Sequence, residues 1–484
     1  MKMMKKSMAM LLAVLVLFMF SIPAFAANAD LTNHSYVTYQ IFTGSQAEGD
    51  ARLAEVEWGS GINGAAFLNA LKQSSAFGGA FASCASAKDV AAVVQGWGDD
   101  SASAKTFAKI AYNYKSGNGG GTTNLAAGYY LVVDVTNFGA NDVYTVYNLA
   151  LLQLTQKGDF EIRNKVSVPE VVKKVKDAND STGEASDWQD SADHDIGDDV
   201  PFLLKATLAS IADYDTYKVV FHDDLSAGLT YNRDAVVRID GNAISASAYS
   251  IRYVGTDLTV TINNVKAYGA VDGSVVTVEY TAKLNQNAVI GSVGNPNTVW
   301  LEYSNNPNES GAGNTYTGKT PVDKVIVFTY KVIINKVDGD KKPLTGASFE
   351  LFKKGANGNY NSLGVVDGDE KTSFEWVGID DGEYKLVEVE APKGYNKVED
   401  VLFTVTAEHD VESDDPALVS LNGGDKFTGD IRAGSLTAVV ENEAGVTLPE
   451  TGGIVTTLFY VLGGIMLLGA TVLLIARKRM QNAE

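Results

Sequence analysis

Short runs of alternating apolar and polar residues, separated by turn dipeptides, constrain the fold of this chain more than any other feature. Asp-Gly and Asn-Gly pairs lie between such runs at Asp240-Gly241, Asp272-Gly273, Asp338-Gly339, Asn357-Gly358, Asp367-Gly368 and Asp381-Gly382. These pairs suit the tight turns of hairpins, and alternation sends successive side chains to opposite faces of a strand. Regular short strands with such turns predict β-sandwiches.

The chain of 484 residues is long enough for about three domains. Residues 27–165 open on the alternating stretch Tyr36–Phe42 and continue through an Ala-rich stretch, 65–114, that we predict to be helical. The strand pattern returns at Tyr129–Val133. We therefore expect an all-β fold of three immunoglobulin-like sandwich domains, at 27–165, 166–327 and 328–447, the first with a helical insertion. They are called the first, second and third modules below.

Charge and composition exclude several classes of function. The chain has 39 basic and 59 acidic residues, so it repels nucleic acid, and we expect no nucleic-acid partner. Its one cysteine, Cys84, cannot form an internal disulfide. The four histidines are scattered without ligand spacing, and no G-x-S-x-G motif is present, so an anchored hydrolase is disfavoured. We expect no metal, no cofactor and no conventional enzyme activity.

The two ends of the chain carry targeting patterns. Residues 1–26 combine three lysines, an apolar run and the triplet Ala24-Phe25-Ala26, which is typical of a signal peptide cleaved after Ala26. Near the other end, the uncharged stretch 454–475 is long enough to span a bilayer and is followed by Arg477-Lys478-Arg479. These patterns predict a secreted protein that is held at the cell surface.

Six strands place a charged or amide side chain on their apolar face. Residues of one parity share a face of a strand, and these residues fall on the same parity as apolar neighbours: Lys173, Asp223, Asn297, Lys336, Glu388 and Asn442. The second and third modules thus each hold one lysine, one acid and one asparagine that point inward.

Burial disfavours the charged forms of such groups, so it lowers the pKa of a lysine and raises that of an acid. A neutral amine beside a protonated carboxyl could attack the asparagine side chain, release ammonia and join two strands by an amide bond, because the fold holds the reactants together. The alternative is two buried lysine–acid salt bridges with asparagine as a hydrogen-bond partner. Parity alone leaves both interpretations open.

Several motifs resemble those of Gram-positive surface proteins. The pentapeptide Leu448-Pro449-Glu450-Thr451-Gly452 matches the LPxTG sorting signal, which a sortase cuts between Thr451 and Gly452. Residues 384–395 match the pilin E-box YxLxExxAPxGY, and 332–351 resemble the opening of a CnaB-type domain. The stretches 173–177, 223–230 and 294–307 resemble the fimbrial isopeptide-forming D2 domain.

Together these stretches resemble the backbone pilins of the SpaA/FimA type. The resemblance implies an isopeptide bond from Lys336 to Asn442 with Glu388 as catalyst, and a second bond from Lys173 to Asn297 with Asp223 as catalyst. Asn295 and Asp224 are the fallback residues in the second module, and parity disfavours both.

The family also implies a lysine at the end of the first module that accepts the Thr451 acyl group of another subunit. Such lysines usually stand in a Tyr-Pro-Lys motif, and this chain departs from it with Arg163-Asn164-Lys165. Lys165 is the expected acceptor, and Lys157 is its rival.

The predicted function is a shaft subunit of a cell-wall-anchored pilus that supports adhesion. The resemblance implies several partners: identical subunits, a pilin-class and a housekeeping sortase, peptidoglycan, and ancillary tip and base pilins. The remaining alternative is a monomeric, wall-anchored adhesin of the CnaB type, which would need no acceptor lysine.

Overall fold

The computed structural model describes residues 27–46, 52–98, 101–160, 165–309, 316–446 and 454–481. The predicted signal peptide and the sorting pentapeptide lie outside these ranges. Within them the chain is mostly β, as predicted, with helices in the first module and near the C-terminal end.

The first module joins one antiparallel sheet to three helices. Its elements are β1 (Ala27–Asp30), β2 (Tyr36–Gln46), β3 (Leu53–Trp58), α1 (Gly64–Gln73), α2 (Ala87–Val94), α3 (Ala102–Asn113), β4 (Gly128–Asp134) and β5 (Leu149–Leu154). The sheet has the order β3-β2-β4-β5. The predicted helical stretch is confirmed. Its helix α2 begins at a capping box, in which the Ser86 hydroxyl accepts from the Asp89 amide and the Asp89 carboxylate accepts from that of Ser86.

The second module is a sandwich of two sheets around one core. Its strands are β6 (Lys165–Val168), β7 (Glu170–Val175), β8 (Ala178–Asn179), β9 (Glu184–Ala185), β10 (Ser191–Asp193), β11 (Asp199–Thr207), β12 (Val219–Leu225), β13 (Leu229–Tyr231), β14 (Val236–Ile239), β15 (Asn242–Ala243), β16 (Ser250–Val254), β17 (Asp257–Ile262), β18 (Val275–Leu284), β19 (Asn295–Ser304), β20 (Thr317–Lys319) and β21 (Asp323–Phe328). One sheet has the order β15-β14-β18-β11-β7, and the other has β10-β21-β19-β12-β17-β16. Alternate residues of the central strands β11, β12, β18 and β19 are buried between these sheets. Successive side chains of a strand point to opposite faces, and only one face of each strand lies against the other sheet.

The third module is a second sandwich. Its strands are β22 (Tyr330–Asp338), β23 (Ala347–Lys354), β24 (Tyr360–Gly368), β25 (Ser373–Ile379), β26 (Gly382–Glu390), β27 (Val401–His409), β28 (Leu418–Asn422), β29 (Phe427–Asp430) and β30 (Ser435–Asn442). One sheet has the order β25-β22-β30-β29 and the other β24-β23-β26-β27-β28. The first and last strands, β22 and β30, are parallel neighbours.

The modules share apolar contacts where they meet. Leu131 and Val133 of β4 pack toward the helices, whereas Val132 on the opposite face joins the core of the second module. At the other junction, Val325 and Val327 of β21 belong to the second core and Phe328 belongs to the third. Alternation along one strand therefore ties neighbouring modules together. The predicted boundaries at 165/166 and 327/328 stay predictions.

Helix α4 (Ile454–Gln481) follows the third module. Thr457–Met480 is long and apolar enough to cross a membrane, in agreement with the predicted span.

Candidate functional sites

The inward polar residues of the second and third modules are buried. Each of the six residues selected by strand parity is at most 2% exposed. Their sequence neighbours of opposite parity, such as Lys174 and Lys385, are less buried. The parity argument is therefore confirmed for all six positions, and the chemistry of these residues depends on what surrounds them.

In the second module a buried ion pair bridges the two sheets. Lys173 lies on β7, and its Nζ donates to Asp223 Oδ1 of β12 at 2.5 Å. Asn297 lies on β19, the neighbour of β12, where Leu225 is its Cα partner. The structure thus brings the lysine of one sheet to the acid and the asparagine of the other.

Tyr280 of β18 connects these three groups, and sequence reasoning missed it. Its hydroxyl donates to Asp223 Oδ2 at 2.5 Å and accepts from Asn297 Nδ2 at 2.8 Å, while Lys173 Nζ lies 3.2 Å away. Tyr280 shares its inward face with Val276 and Val278. A tyrosine in such a row reads as an ordinary core residue, so no signal in the sequence distinguished it.

Burial shapes the titration of this site. Desolvation lowers the pKa of the Lys173 ammonium and raises that of the Asp223 carboxyl, although their mutual attraction opposes both shifts. Desolvation and the charge of Asp223 raise the pKa of Tyr280 well above its usual value, so this hydroxyl stays protonated. These directions favour transfer of a proton from the lysine to the acid.

The two fallback residues lie elsewhere. Asn295 is buried, but its side chain is bound by backbone groups of Val289 and by the carbonyl of Val327. Asp224 is exposed on the opposite face of β12. Neither lies in the contact network of Lys173.

In the third module the lysine and the asparagine share one sheet. Lys336 on β22 donates to the carbonyl oxygens of Val337 and Val440 at 2.8 and 3.1 Å. Asn442 lies two residues beyond Val440 on β30 and donates through Nδ2 to both oxygens of Glu388, at 2.9 and 3.0 Å. Glu388 comes from β26 of the facing sheet and also accepts from the Val398 amide at 2.8 Å.

The two interpretations left open by parity now separate. A salt bridge is present in the second module, whereas Lys336 has no carboxylate within ion-pair distance in the described ranges. The salt-bridge interpretation therefore fits the second module and does not fit the third. Desolvation lowers the pKa of Lys336, as expected for an ammonium that holds only neutral carbonyls.

Both asparagines present the same unpaired atom. Asn297 Oδ1 and Asn442 Oδ1 are buried and have no hydrogen-bond partner among the described residues. In the third module the amide nitrogen of Asn442, and not its oxygen, faces Glu388. The oxygens of Glu388 accept these hydrogen bonds, so the amide turns its NH2 group toward them.

The predicted polymerisation residues are described only in part. The backbone of Lys165 begins β6 and pairs with Asp30 of β1, and its side chain lies outside the described residues. Lys157 is exposed after the end of β5. Thr451 and its pentapeptide lie outside the described ranges.

Two family models match the C-terminal part of the chain. Residues 330–416 match the SpaA prealbumin-like fold domain. This range includes β22 and the strands β23 to β27. Residues 441–482 match the LPXTG cell wall anchor motif. The protein is therefore anchored to the cell wall.

A curated relative is similar to about half of the chain. The Trypsin-resistant surface T6 protein of Streptococcus pyogenes serotype M6 is 28% identical over 253 residues, which are 48% of this chain and 44% of that protein. The chain is therefore similar in sequence to this streptococcal surface protein over about half of its length. The match spans less than half the length of this relative.

A solved structure is similar to this chain in fold. The T6 backbone pilin of serotype M6 Streptococcus pyogenes, described as a modular three-domain structure, aligns with a TM-score of 0.52 and 18% identity. The alignment covers 87% of this chain and 99% of that one. The predicted arrangement of three modules is thus confirmed at the level of the fold.

Proposed function

We propose that this chain is the structural shaft subunit of a covalently polymerised surface pilus. The observation that carries the proposal is a pilin-like fold of three modules followed by a cell-wall anchor motif. Its partners would be identical subunits, pilin-class and housekeeping sortases, peptidoglycan, and ancillary tip and base pilins.

Polymer growth would join Thr451 of one subunit to Lys165 of the next. A head-to-tail contact of this kind does not close on itself, so it propagates into a fibre. The pairing of β6 with β1 supports the assignment, because it holds the backbone of Lys165 in a defined place between the first and second modules.

A gel of boiled wall extract probed for this protein tests both statements. Wild type should give a ladder of high mass, and Lys165→Ala should give a single band that is still wall-attached, since only the acceptor amine is lost. Lys157→Ala is the matched control and should keep the ladder. A single band in wild type would favour the monomeric adhesin, and a ladder lost only in Lys157→Ala would move the acceptor to Lys157.

Each buried cluster would form one intramolecular isopeptide bond. In the second module a proton passes from Lys173 to Asp223, and the neutral Nζ attacks the side-chain carbon of Asn297. The new C–N bond forms while the bond to Nδ2 breaks. The carboxyl gives one proton to the leaving nitrogen and takes one from Nζ, so ammonia leaves and the acid ends neutral. Proximity and burial supply the acceleration.

Glu388 would carry the protons in the third module, where it already contacts the Asn442 nitrogen that leaves. The resulting bonds differ in placement. The Lys173–Asn297 bond would join the two sheets of the second module. The Lys336–Asn442 bond would join β22 to β30, the first and last strands of the third module.

Mass spectrometry of residues 27–447, produced without any sortase, tests the chemistry. The protein should weigh less than its sequence by two ammonia molecules, because each bond releases one. A full-mass protein would eliminate both isopeptide bonds and leave the anchor and the fold unaffected.

A further inference from the structure

The junction between the second and third modules buries a cluster of acceptor atoms from both sides. Asp177 follows β7 and Asp193 ends β10 in the second module, while His409 ends β27 in the third. One side-chain atom of each residue lies within 4.8 Å of the others. Asp381, which directly precedes β26, is a third acid nearby, and its carboxylate accepts a hydrogen bond from Asn179 at 2.9 Å.

The hydrogen bonds of His409 leave one ring nitrogen for this cluster. The Ser191 hydroxyl donates its only proton to the carbonyl of Asp410 at 2.5 Å, so it accepts from His409 Nδ1 at 2.8 Å. In the neutral ring, Nε2 then carries a lone pair. This atom faces Asp177 Oδ2 at 3.5 Å, as an ion pair when the ring is protonated and as a second ligand atom beside the carboxylate when it is neutral.

Asp193 provides a second, independent observation that points to a bound ligand in this cluster. It is 2% exposed, and its Oδ2 has no hydrogen-bond partner among the described residues. Asp177 Oδ1 is likewise buried and unpartnered.

A neighbouring cluster of aspartates at the same junction has its negative charge balanced by a lysine. Lys353 reaches into it and pairs with Asp380, with Asp195 at 2.8 Å and with Asp180 at 2.9 Å. In the described ranges no lysine or arginine forms an ion pair with Asp177 or Asp193. The Lys353 cluster thus holds a permanent cation, whereas the cluster of Asp177 and Asp193 faces only the titratable imidazole of His409.

We propose that Asp177, Asp193 and His409 form a binding site for a divalent transition metal that bridges the second and third modules. Two carboxylates and one imidazole are ligands for Zn²⁺ or Mn²⁺, whereas Ca²⁺ prefers oxygen alone. Ligands about 2.1 Å from a tetrahedral zinc ion lie about 3.4 Å apart, close to the 3.5 Å between His409 Nε2 and Asp177 Oδ2. The Ser191 hydroxyl would orient the imidazole from behind, as such partners do for metal-bound histidines.

Titration of the full-length protein tests the site. The protein is purified in detergent, stripped with EDTA, and titrated with ZnCl2, MnCl2 or CaCl2 by calorimetry. Wild type should bind one Zn²⁺ or Mn²⁺ per chain, more tightly than Ca²⁺. Asp193→Asn and His409→Gln should each weaken the binding by about tenfold or more, and the exposed Asp414→Asn is the matched control.

Thermal unfolding separates loss of the site from loss of the fold. Without metal, Asp193→Asn should unfold at or above the wild-type temperature, because it removes a buried, unpaired charge. With ZnCl2, wild type should gain stability and the variant should not. No saturable binding, tighter binding of Ca²⁺, equal binding in Asp193→Asn, or equal loss in Asp414→Asn would each overturn the proposal.

Discussion

The second and third modules bury the same three residue types, but they hold the lysine in different ways. Lys173 is paired with Asp223 across the sandwich, and Tyr280 links this pair to Asn297. Lys336 is instead held by two backbone carbonyls, and Glu388 contacts the asparagine and not the lysine. In the second module the lysine and the acid form an ion pair. In the third module the acid instead contacts the nitrogen of Asn442 that would leave as ammonia.

The difference teaches that the same chemistry can start from two arrangements of the lysine and its acid. In the second module a proton must move from lysine to acid before attack, and a buried ion pair resists this through its own attraction. In the third module no ion pair has to be broken. We therefore expect the third bond to form faster during folding, and the variants below are chosen to separate the two sites.

The largest effect is expected from Asp223→Ala. This change should leave Lys173 and Asn297 unlinked and also leave a buried ammonium without its partner. Loss of a cross-link that closes a loop of roughly 100 residues costs about 4–5 kcal/mol, and an unpaired buried charge adds about 3 kcal/mol. Chemical denaturation measures the sum. Peptide mapping that still finds Lys173 joined to Asn297 would contradict the catalytic role of Asp223.

Glu388→Ala should have the next largest effect. It should restore the mass of one ammonia molecule and lower the free energy of unfolding by about 4–5 kcal/mol, by analogy with a disulfide that closes a loop of similar length. The additional loss is small because Lys336 keeps both carbonyl partners. An equal or greater destabilisation than in Asp223→Ala would contradict the contrast between the two lysines.

A smaller effect is expected from Tyr280→Phe. The ring keeps its packing on Phe202, while Asn297 and Asp223 each lose a hydrogen bond. We expect the second bond to form more slowly, and an unlinked fraction to cost about 1–3 kcal/mol. A time course of intact mass after refolding measures this, and the third bond serves as the internal standard because Tyr280 does not contact it.

Asp224→Ala should have the smallest effect and serves as the control for Asp223. Its side chain is exposed, so the change should alter stability by no more than about 0.5 kcal/mol. Both bonds should form. Loss of the Lys173–Asn297 peptide in this variant would assign the acid to Asp224 instead of Asp223.

Much of each site was predictable from strand parity. Lys173, Asp223 and Asn297 were selected because each shares a face with apolar neighbours, and all three are buried together. Parity could not identify Tyr280, since its inward position is shared by many tyrosines with no polar contact. It also could not decide between salt bridge and neutral cluster, because that choice depends on distances across the sheets.

The junction cluster was beyond sequence reasoning altogether. Scattered histidines predicted no metal site, yet His409 lies beside Asp177 and Asp193, more than 200 residues earlier in the chain. Lys353 was overlooked although it shares a face with Phe349 and Leu351. Its carboxylate partners come from two modules, so no local spacing reveals them.

The sequence by itself determined the strands, their buried faces, the helical insertion and the anchor motif, because these depend on residues that are neighbours in the chain. Only the tertiary structure decided which buried groups meet. Hydrogen-bonded sheets bring together strands such as β7 and β12, or β22 and β30, that are far apart in sequence. Register across a sandwich is set by packing of the whole core, and a polar group within it responds to atoms only a few ångströms away.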